Sequence, residues 1–145
     1  MNKSSTNKVE ASSLLMGSAS PQQKRALVVD DNIDAASMMA MFLDACGVDV
    51  VVEYHPLTAL ARAEDEHFDV FVLDIGLPEI DGHELARRLR ERPGNTASMF
   101  IALTGYGTDE DKRRSAAAGF NYHFVKPLNV ENFVRVFPWQ TPAEK

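Results

Sequence analysis

The sequence predicts a doubly wound α/β fold, in which a five-stranded parallel sheet of strand order 2-1-3-4-5 carries helices on both faces. Three observations lead to this prediction. Short apolar runs alternate with amphipathic segments from residue 24 onward. Three of the five runs are apolar along their whole length, which is typical of strands buried on both faces. The alternation occurs five times, and right-handed helical crossovers between parallel strands distribute the helices over both faces.

Each predicted strand is a run of four or five residues, often rich in β-branched side chains. The third run reads Val-Phe-Val-Leu and stops at Asp74. The five predicted strands span residues 26–29, 48–52, 70–73, 99–103 and 122–125.

The segments between the runs carry helical spacing and capping residues. In the first of them, apolar residues recur at near-helical intervals before Gly47, a residue type that commonly ends helices. Asp81 and Glu84 have the spacing of a capping box, and Thr108 precedes three acidic residues, which suits a helix N-terminus. The predicted helices span residues 33–45, 57–66, 81–91, 108–118 and, as a short last helix, 129–137.

Length and composition predict one domain with a tail at each end. The chain has 145 residues, of which 45% are hydrophobic and 25% charged, close to the average of globular proteins. Residues 1–23 are rich in Ser and lack periodicity, so we interpret them as a disordered tail or linker, with a short helix over 9–16 as the alternative. The domain is expected to span residues 24–138, followed by a C-terminal tail over 139–145.

The chain is acidic, with a formal net charge of −6 and a pI of about 5.1. This charge argues against binding to nucleic acid or to an anionic membrane. No apolar run approaches the roughly 20 residues that span a bilayer, and we expect a cytoplasmic protein whose partner is a protein or a metal-bound anion. Four arginines near the third predicted helix are interpreted as a solvated face: Arg87, Arg88, Arg90 and Arg92.

Ionisable or hydroxyl side chains stand at the ends of four predicted strands. Parallel strands have their carboxyl ends at one edge, and in this strand order the first and third strands are neighbours. Three carboxylates would then crowd together and raise one another's pKa, so a cation is needed. The residues concerned are Asp30 and Asp31 after the first strand, Asp74 after the third, Thr104 after the fourth and Lys126 after the fifth.

This set of residues predicts phosphoryl chemistry. Lys126 supplies one positive charge, and the remaining negative charge suits Mg²⁺, which accepts one or two carboxylates, keeps several waters and shares phosphate oxygens. A carboxylate can act as a nucleophile and form an aspartyl phosphate. Phosphoryl transfer needs chiefly alignment and charge neutralisation, which Mg²⁺, Lys126 and the Thr104 hydroxyl would provide.

Four motifs, in this order and at this spacing, resemble the response-regulator receiver family of two-component signalling. The resemblance covers about residues 25–137. Each motif alone is weak, whereas the combination is highly specific. The motifs are Val28-Val29-Asp30-Asp31-Asn32, the segment from Val72 through Asp74 and Pro78 to Gly82, Ala102-Leu103-Thr104-Gly105, and Val125-Lys126-Pro127.

The resemblance implies a metal site and a phosphorylation site. Asp74 would be the phosphoacceptor and also a metal ligand. Asp31 would bind Mg²⁺ directly and Asp30 through water. Gly76 would offer its backbone carbonyl to the metal.

The resemblance also implies a switch. Thr104 would be the hydroxyl that moves towards the phosphoryl group, and Lys126 the ammonium that pairs with it. His123 falls where the family usually has a rotating aromatic side chain, so a histidine there is a departure from the pattern. The Lys126–Pro127 bond resembles the family's cis peptide, which an X-Pro bond allows at modest cost.

The implied function is a phosphorylation-controlled switch. It would accept a phosphoryl group from a histidine kinase or a histidine phosphotransfer protein, hydrolyse it slowly, and report to a downstream effector protein. It would catalyse its own phosphorylation and dephosphorylation without being a dedicated enzyme. Between a stand-alone protein and the receiver part of a hybrid kinase, we favour the former, because Met1 opens the sequence and Glu144-Lys145 resembles a free end.

Alternatives remain open at this point. His123 and the short last helix allow a pseudo-receiver that acts only through constitutive protein contacts. Asp30 and Asp31, taken alone, could be helix N-cap residues. An Asp-nucleophile phosphohydrolase is disfavoured because Asp74 lacks a second aspartate two residues later, and a nucleotide- or flavin-binding protein because the first strand is not followed by a glycine-rich loop.

Overall fold

A computed structural model, which describes residues 23–105 and 107–136, contains one five-stranded parallel sheet of order β2-β1-β3-β4-β5. The predicted fold class and strand order are confirmed. The strands are β1 (Arg25–Val29), β2 (Asp49–Glu53), β3 (Val70–Asp74), β4 (Met99–Thr104) and β5 (Tyr122–Val125). The helices are α1 (Ile33–Ala45), α2 (Pro56–Asp65), α3 (Gly82–Arg90), α4 (Asp109–Ala118) and α5 (Val130–Val134).

The predicted elements differ from the observed ones mainly at their ends. Strand β2 begins one residue later than expected, and α2 begins at Pro56, which is favourable at the first turn of a helix. Helix α5 is shorter than predicted and spans only Val130–Val134. A short 3₁₀ turn at Pro93–Asn95 was not predicted. The predictions for the tails, including the possible helix over 9–16, lie outside the described residues.

Side-chain caps explain where the helices begin. The Asn32 side chain accepts a hydrogen bond from Ala35 N at 2.9 Å and caps α1. The Asp81 side chain accepts from Glu84 N and caps α3, in the predicted position. Thr108 and its third-position partner form a reciprocal capping box at α4. Each cap satisfies backbone N–H groups that a helix N-terminus otherwise leaves unpaired.

Two apolar layers hold the helices on opposite faces of the sheet. Alternate residues along each central strand point to opposite faces, so β3 contributes Phe71 and Leu73 to one layer and Val70 and Val72 to the other. The first layer packs against α2 and α3, and the second against α1 and α5. All five residues of β3 are buried, which places its last residue, Asp74, at the end of the central core strand.

The loop after β3 returns closely to its own strand. Gly82, at the start of α3, donates its N–H to Ile75 O at 2.9 Å. A Cβ atom at Gly82 would lie 2.6 Å from Asp74 O, a distance that side chains do not tolerate. Glycine is therefore required here for close backbone approach. The start of α3 is therefore held against the backbone of Asp74 and Ile75. None of the helices in the described part of the chain is both long and apolar enough to cross a membrane.

The expectation of a solvated arginine face is wrong for Arg90. Its guanidinium donates to Ser98 O at 2.7 Å and to Gly119 O at 2.6 Å, and it lies 4.0 Å from the centroid of the Phe100 ring. The other three arginines of the row form ion pairs with glutamates at the surface. Arg90 thus ties α3 to the segments that precede β4 and follow α4, at the edge of the sheet opposite the candidate site.

Replacing Arg90 with methionine is expected to lower the free energy of unfolding by about 2–3 kcal/mol. The charge-assisted hydrogen bonds to partly buried carbonyls are lost, whereas methionine retains the apolar part of the side chain. Urea unfolding followed by circular dichroism measures the change. Arg113→Met is the matched control, since Arg113 is 70% exposed and pairs only with Glu110 among the described residues; it should change stability by less than about 0.5 kcal/mol. Equal losses in the two variants would contradict the structural role of Arg90.

Candidate functional site

Three carboxylates meet at the carboxyl edge of the sheet. Asp30 follows β1, Asp31 is the next residue, and Asp74 ends β3. One carboxylate oxygen from each residue lies within 4.8 Å of the other two. Asp30 is 2% exposed and Asp74 9% exposed, whereas Asp31 is open to solvent. The structure therefore brings together the three acidic residues that the sequence singled out.

Local hydrogen bonds orient the two buried carboxylates. Asp30 Oδ1 accepts from Asn32 N at 3.0 Å, and Asp74 Oδ1 accepts from Gly76 N at 3.1 Å. The N-cap of α1 is Asn32, so the alternative that Asp30 or Asp31 caps this helix is wrong. Both carboxylates keep further oxygen lone pairs for a ligand.

Lys126 faces the buried carboxylates from the end of β5. Its Nζ lies 3.4 Å from Asp30 Oδ2 and 3.7 Å from Asp74 Oδ1. The Lys126–Pro127 peptide is cis, as the resemblance implied. Lys126 N donates to Thr104 O at 2.7 Å, which joins the ends of β4 and β5. One ammonium group therefore contacts both buried carboxylates.

The site carries more negative charge than Lys126 compensates. Burial and, next, the neighbouring Asp30 carboxylate raise the pKa of Asp74, and these effects outweigh the Gly76 N–H and the Lys126 ammonium, which lower it. A raised carboxyl pKa means that the ionised form is disfavoured in the folded protein. A bound cation would stabilise that form.

The donor set fits a hard divalent cation. All three converging side chains offer oxygen, the donor atom that Mg²⁺ prefers, and one of them is exposed, so a bound ion could retain water and share a phosphate oxygen. The structure gives Gly76 a contact through its N–H to Asp74. Its carbonyl as a metal ligand stays a prediction.

Thr104 lies at the same edge as the carboxylates. It ends β4, is 5% exposed, and follows Leu103, the residue that pairs with Asp74 in the sheet. A buried hydroxyl one residue beyond that pair lies near Asp74, the predicted phosphoacceptor. Its role as the switch hydroxyl stays a prediction.

His123 lies on β5 opposite Ala102 and contacts α4. Its Nδ1 is 2.9 Å from Ser115 Oγ, and the same oxygen is 3.2 Å from His83 Nε2 on α3. Sequence analysis singled out neither of these partners. Only the packing of α4 against α3 and β5 brings the three side chains together, and no local motif indicates that packing.

The chain resembles known signalling proteins over most of its length. Residues 26–137 match the family described as "Response regulator receiver domain". An uncharacterized 14.6 kDa protein of Leptolyngbya boryana is 35% identical over 79% of this chain and 87% of its own length. The transcriptional regulatory protein TrcR of Mycobacterium tuberculosis is 34% identical over 76% of this chain but only 42% of its own. Sensor protein EvgS of Escherichia coli is 27% identical, and the match spans 77% of this chain and 9% of EvgS.

Solved structures give the same result. The chemotaxis response regulator CheY4 of Vibrio cholerae superimposes with a TM-score of 0.74 and 28% identity over 80% of this chain and all of CheY4. A response regulator of Burkholderia pseudomallei, solved with a phosphorylated aspartic acid, a calcium ion and citrate, gives a TM-score of 0.71 and 28% identity over 77% of this chain and 65% of that one. Together with the family match over residues 26–137, these likenesses identify the chain as a member of the response regulator receiver domain family of two-component signalling.

Proposed function

We propose that this receiver domain is a phosphorylation-controlled switch that accepts a phosphoryl group on Asp74 in the presence of Mg²⁺. The observation that carries the proposal is the convergence of Asp30, Asp31 and Asp74 within 4.8 Å, with the Lys126 ammonium beside the two buried carboxylates. Such an arrangement costs stability unless a cation and an anionic ligand use it. The Burkholderia relative with a phosphorylated aspartic acid supports the same chemistry.

The proposed reaction is a transfer between two protein side chains. A carboxylate oxygen of Asp74 attacks the phosphorus atom of a phosphohistidine, an O–P bond forms, and the N–P bond breaks. The donor imidazole leaves with the electron pair and takes up a proton. Water later attacks the acyl phosphate and releases inorganic phosphate, which restores the Asp74 carboxylate.

The remaining residues bind and orient the phosphoryl group. Asp31 would hold Mg²⁺ directly, Asp30 through water, and Asp74 and the Gly76 carbonyl would complete the protein ligands. The ion would neutralise negative charge on the phosphoryl oxygens. Lys126, already 3.7 Å from Asp74 Oδ1, would pair with one of these oxygens.

Thr104 would donate its hydroxyl to a phosphoryl oxygen. This new hydrogen bond would move Thr104 towards Asp74 and leave space into which His123 can rearrange. The surface formed by β5 and its neighbours would then differ between the two phosphorylation states.

A histidine kinase or a histidine phosphotransfer protein is the proposed donor, and a downstream effector protein the proposed target. We place the exchange in the cytoplasm, where phosphohistidine is formed from ATP. Because the match spans 42% of TrcR and 9% of EvgS, receivers of this family occur within longer proteins as well as nearly alone. The activities and partners of those longer proteins are therefore not assigned to this chain.

An apolar groove beside the site offers a contact surface for the donor protein. The groove has a volume of about 400 Å³ and lies between α1 and the loop after β5. Asp30 and Lys126 line both the groove and the candidate site, so the two surfaces are continuous. A phosphohistidine must approach within bonding distance of Asp74, and the protein that carries it must cover this edge. We therefore propose that the donor contacts Met38, which lines the groove and is 71% exposed.

Met38→Ala is expected to slow phosphotransfer from a protein donor about tenfold, the effect of losing roughly 1.4 kcal/mol of interface contact. The donor would be one identified by phosphotransfer profiling, and the rates would be measured with radiolabelled phosphate. With a small phosphodonor the rate should not change. Met41→Ala is the matched control, because Met41 is equally exposed on the same helix but does not line the groove. Equal slowing by both variants would contradict the proposed docking surface.

The proposed function itself is tested by adding Mg²⁺ and a small phosphodonor such as acetyl phosphate. Intact mass under conditions that preserve acyl phosphates should show one added phosphoryl group, and removing Mg²⁺ with EDTA should prevent it. In the absence of donor, Mg²⁺ should shift the amide signals of Asp31 and Asp74 in nuclear magnetic resonance spectra. An unmodified mass together with unchanged amide signals would favour the pseudo-receiver instead.

A further inference from the structure

A chain of two hydrogen bonds links side chains of α3, α4 and β5. His83 lies in the first turn of α3, Ser115 on α4 and His123 on β5. The Ser115 hydroxyl is 3.2 Å from His83 Nε2 and 2.9 Å from His123 Nδ1, and the Ser115 residue is only 1% exposed. Two imidazoles therefore share one buried hydroxyl group.

The Ser115 hydroxyl has a single hydrogen atom, so the two rings have opposite roles: one accepts a hydrogen bond from the hydroxyl and the other donates to its oxygen. A hydroxyl carries one hydrogen and can donate to one ring at a time, so the other neutral ring must donate an N–H to the oxygen. His83 Nδ1 is buried and has no hydrogen-bond partner among the described residues. If His83 Nε2 accepted the hydrogen bond, Nδ1 would carry the proton as an unpaired buried donor, which is costly and rare. The favoured order is thus His83 Nε2–H to Ser115 Oγ–H to His123 Nδ1.

The surroundings of His83 favour the neutral ring, which avoids a proton on Nδ1, a buried atom with no partner among the described residues. Burial and, next, the charge of Arg114 lower the pKa of His83, against the opposing effects of Asp81 and Asp111. The Asp111 carboxylate also has an electrostatic interaction with the His123 ring. The ring of His83 in addition packs edge-on against Phe120, 6.2 Å between ring centroids.

The hydrogen-bonded chain of side chains reaches the helix that follows the Asp74 loop. Helix α3 begins against the backbone at the end of β3, where Gly82 N–H bonds to Ile75 O. His83 is the next residue, so the hydrogen-bonded chain runs from β5 through α4 to the helix that follows the phosphoacceptor loop. A rotation of His123 away from α4 would leave the Ser115 hydroxyl without its acceptor and break the chain.

We propose that Ser115 is a positioning residue for His123, and that its hydroxyl couples the orientation of His123 to His83 on α3. The hydrogen-bonded unit itself is independent of phosphorylation. Its link to the Asp74 site rests on the proposed function. The unit makes α3, α4 and β5 respond together when His123 moves.

The first experiment uses the unphosphorylated chain and the ring nitrogen signals of its four histidines in ¹⁵N spectra. At about pH 8, above the ordinary titration range of histidine, both rings should be in the Nε2–H form. Ser115→Ala should shift the ring signals of both His83 and His123. His83→Gln should shift the His123 Nδ1 signal in the native background and leave it unchanged in the Ser115→Ala background.

Controls separate coupling from general destabilisation. Ser98→Ala removes another buried hydroxyl, which donates to Phe68 O at 2.7 Å on the far side of the fold, and should not shift either ring. His67, with a side chain 60% exposed, serves as the internal reference. Should Ser115→Ala not fold, His123→Phe replaces it and should shift the His83 ring signals. Unchanged ring signals in Ser115→Ala or in His123→Phe, or equal effects of His83→Gln on His123 in both backgrounds, would overturn the proposal.

A second experiment tests whether phosphorylation affects the His83 ring through Ser115. With acetyl phosphate and Mg²⁺, the ring signals of His83 should shift in the native chain, and the shift should fall by more than half in Ser115→Ala at an equal phosphorylated fraction. A shift of the same size in both proteins would sink the coupling. A chain that takes up no phosphoryl group would instead contradict the proposed function, and the first experiment would still decide the role of Ser115.

Discussion

Asp74→Asn is expected to take up no phosphoryl group from acetyl phosphate or from a protein donor. The amide lacks the nucleophilic carboxylate oxygen that forms the acyl phosphate. Intact mass measured under conditions that preserve acyl phosphates tests this result.

Asp74→Asn should also be more stable than the native chain when Mg²⁺ is absent. Two charges about 4 Å apart near a protein surface interact by about 4 kcal/mol, so removing one carboxylate, partly compensated by Lys126, should recover on the order of 1–2 kcal/mol.

The matched control for Asp74→Asn is Asp65→Asn, which removes the same charge from an exposed position at the end of α2. It should be phosphorylated like the native chain and gain no stability. Adding Mg²⁺ should stabilise the native chain more than Asp74→Asn, because the variant has lost one carboxylate of the converging set. Phosphorylation of Asp74→Asn to the native extent would place the phosphoacceptor elsewhere and contradict the proposal.

The elements that sequence predicted well are those with a dense local signal. Strand β3 is an uninterrupted apolar run because it is buried on both faces, and its short length distinguishes it from a buried helix. Asp81 and Thr108 mark helix starts because their side chains bond to backbone N–H groups within the next turn. The alternation of elements, together with the handedness of crossovers, predicted a doubly wound parallel sheet.

The grouping of the site residues at one edge of the sheet was predictable for a related reason. Residues that follow parallel strands must share one edge, so Asp30, Asp74 and Lys126 could be grouped from the order of the strands alone. What the sequence lacked was the register between strands. The structure supplies it, because Asp74 pairs with Leu103 and Thr104 therefore lies one residue beyond that pair.

The features that sequence missed depend on tertiary contacts between elements that are far apart in the sequence. Arg90 resembles its neighbours in the row of arginines, but its position on α3 points it at Phe100 and at the carbonyls of Ser98 and Gly119. Ser115 resembles an ordinary helix residue among alanines until α4 is packed against two histidines. A charge or a hydroxyl has no distinctive local pattern, so only the tertiary structure distinguishes a tethering side chain from a solvated one.

The second large effect is expected for Lys126→Met. Lys126 is the positive group nearest to both buried carboxylates in the described part of the chain, at 3.4 Å from Asp30 Oδ2 and 3.7 Å from Asp74 Oδ1. Without it, the phosphoryl group would lose a charged donor that pairs with its oxygens as the transfer proceeds. Loss of one such electrostatic contact typically slows a reaction about 10²–10³-fold. The rate of phosphorylation by acetyl phosphate at saturating Mg²⁺ measures the effect.

Lys126→Met should also change the affinity for Mg²⁺ that we propose for this site. The ammonium repels Mg²⁺ and partly neutralises the carboxylates, so its removal should tighten Mg²⁺ binding while it slows phosphoryl transfer. Lys112→Met, which removes an exposed ammonium from α4, should leave both quantities unchanged. These opposite effects distinguish a group that acts on the phosphoryl oxygens from one that merely supports the fold, since loss of folding would weaken Mg²⁺ binding and phosphorylation together. Weaker Mg²⁺ binding by Lys126→Met would therefore contradict the assigned role.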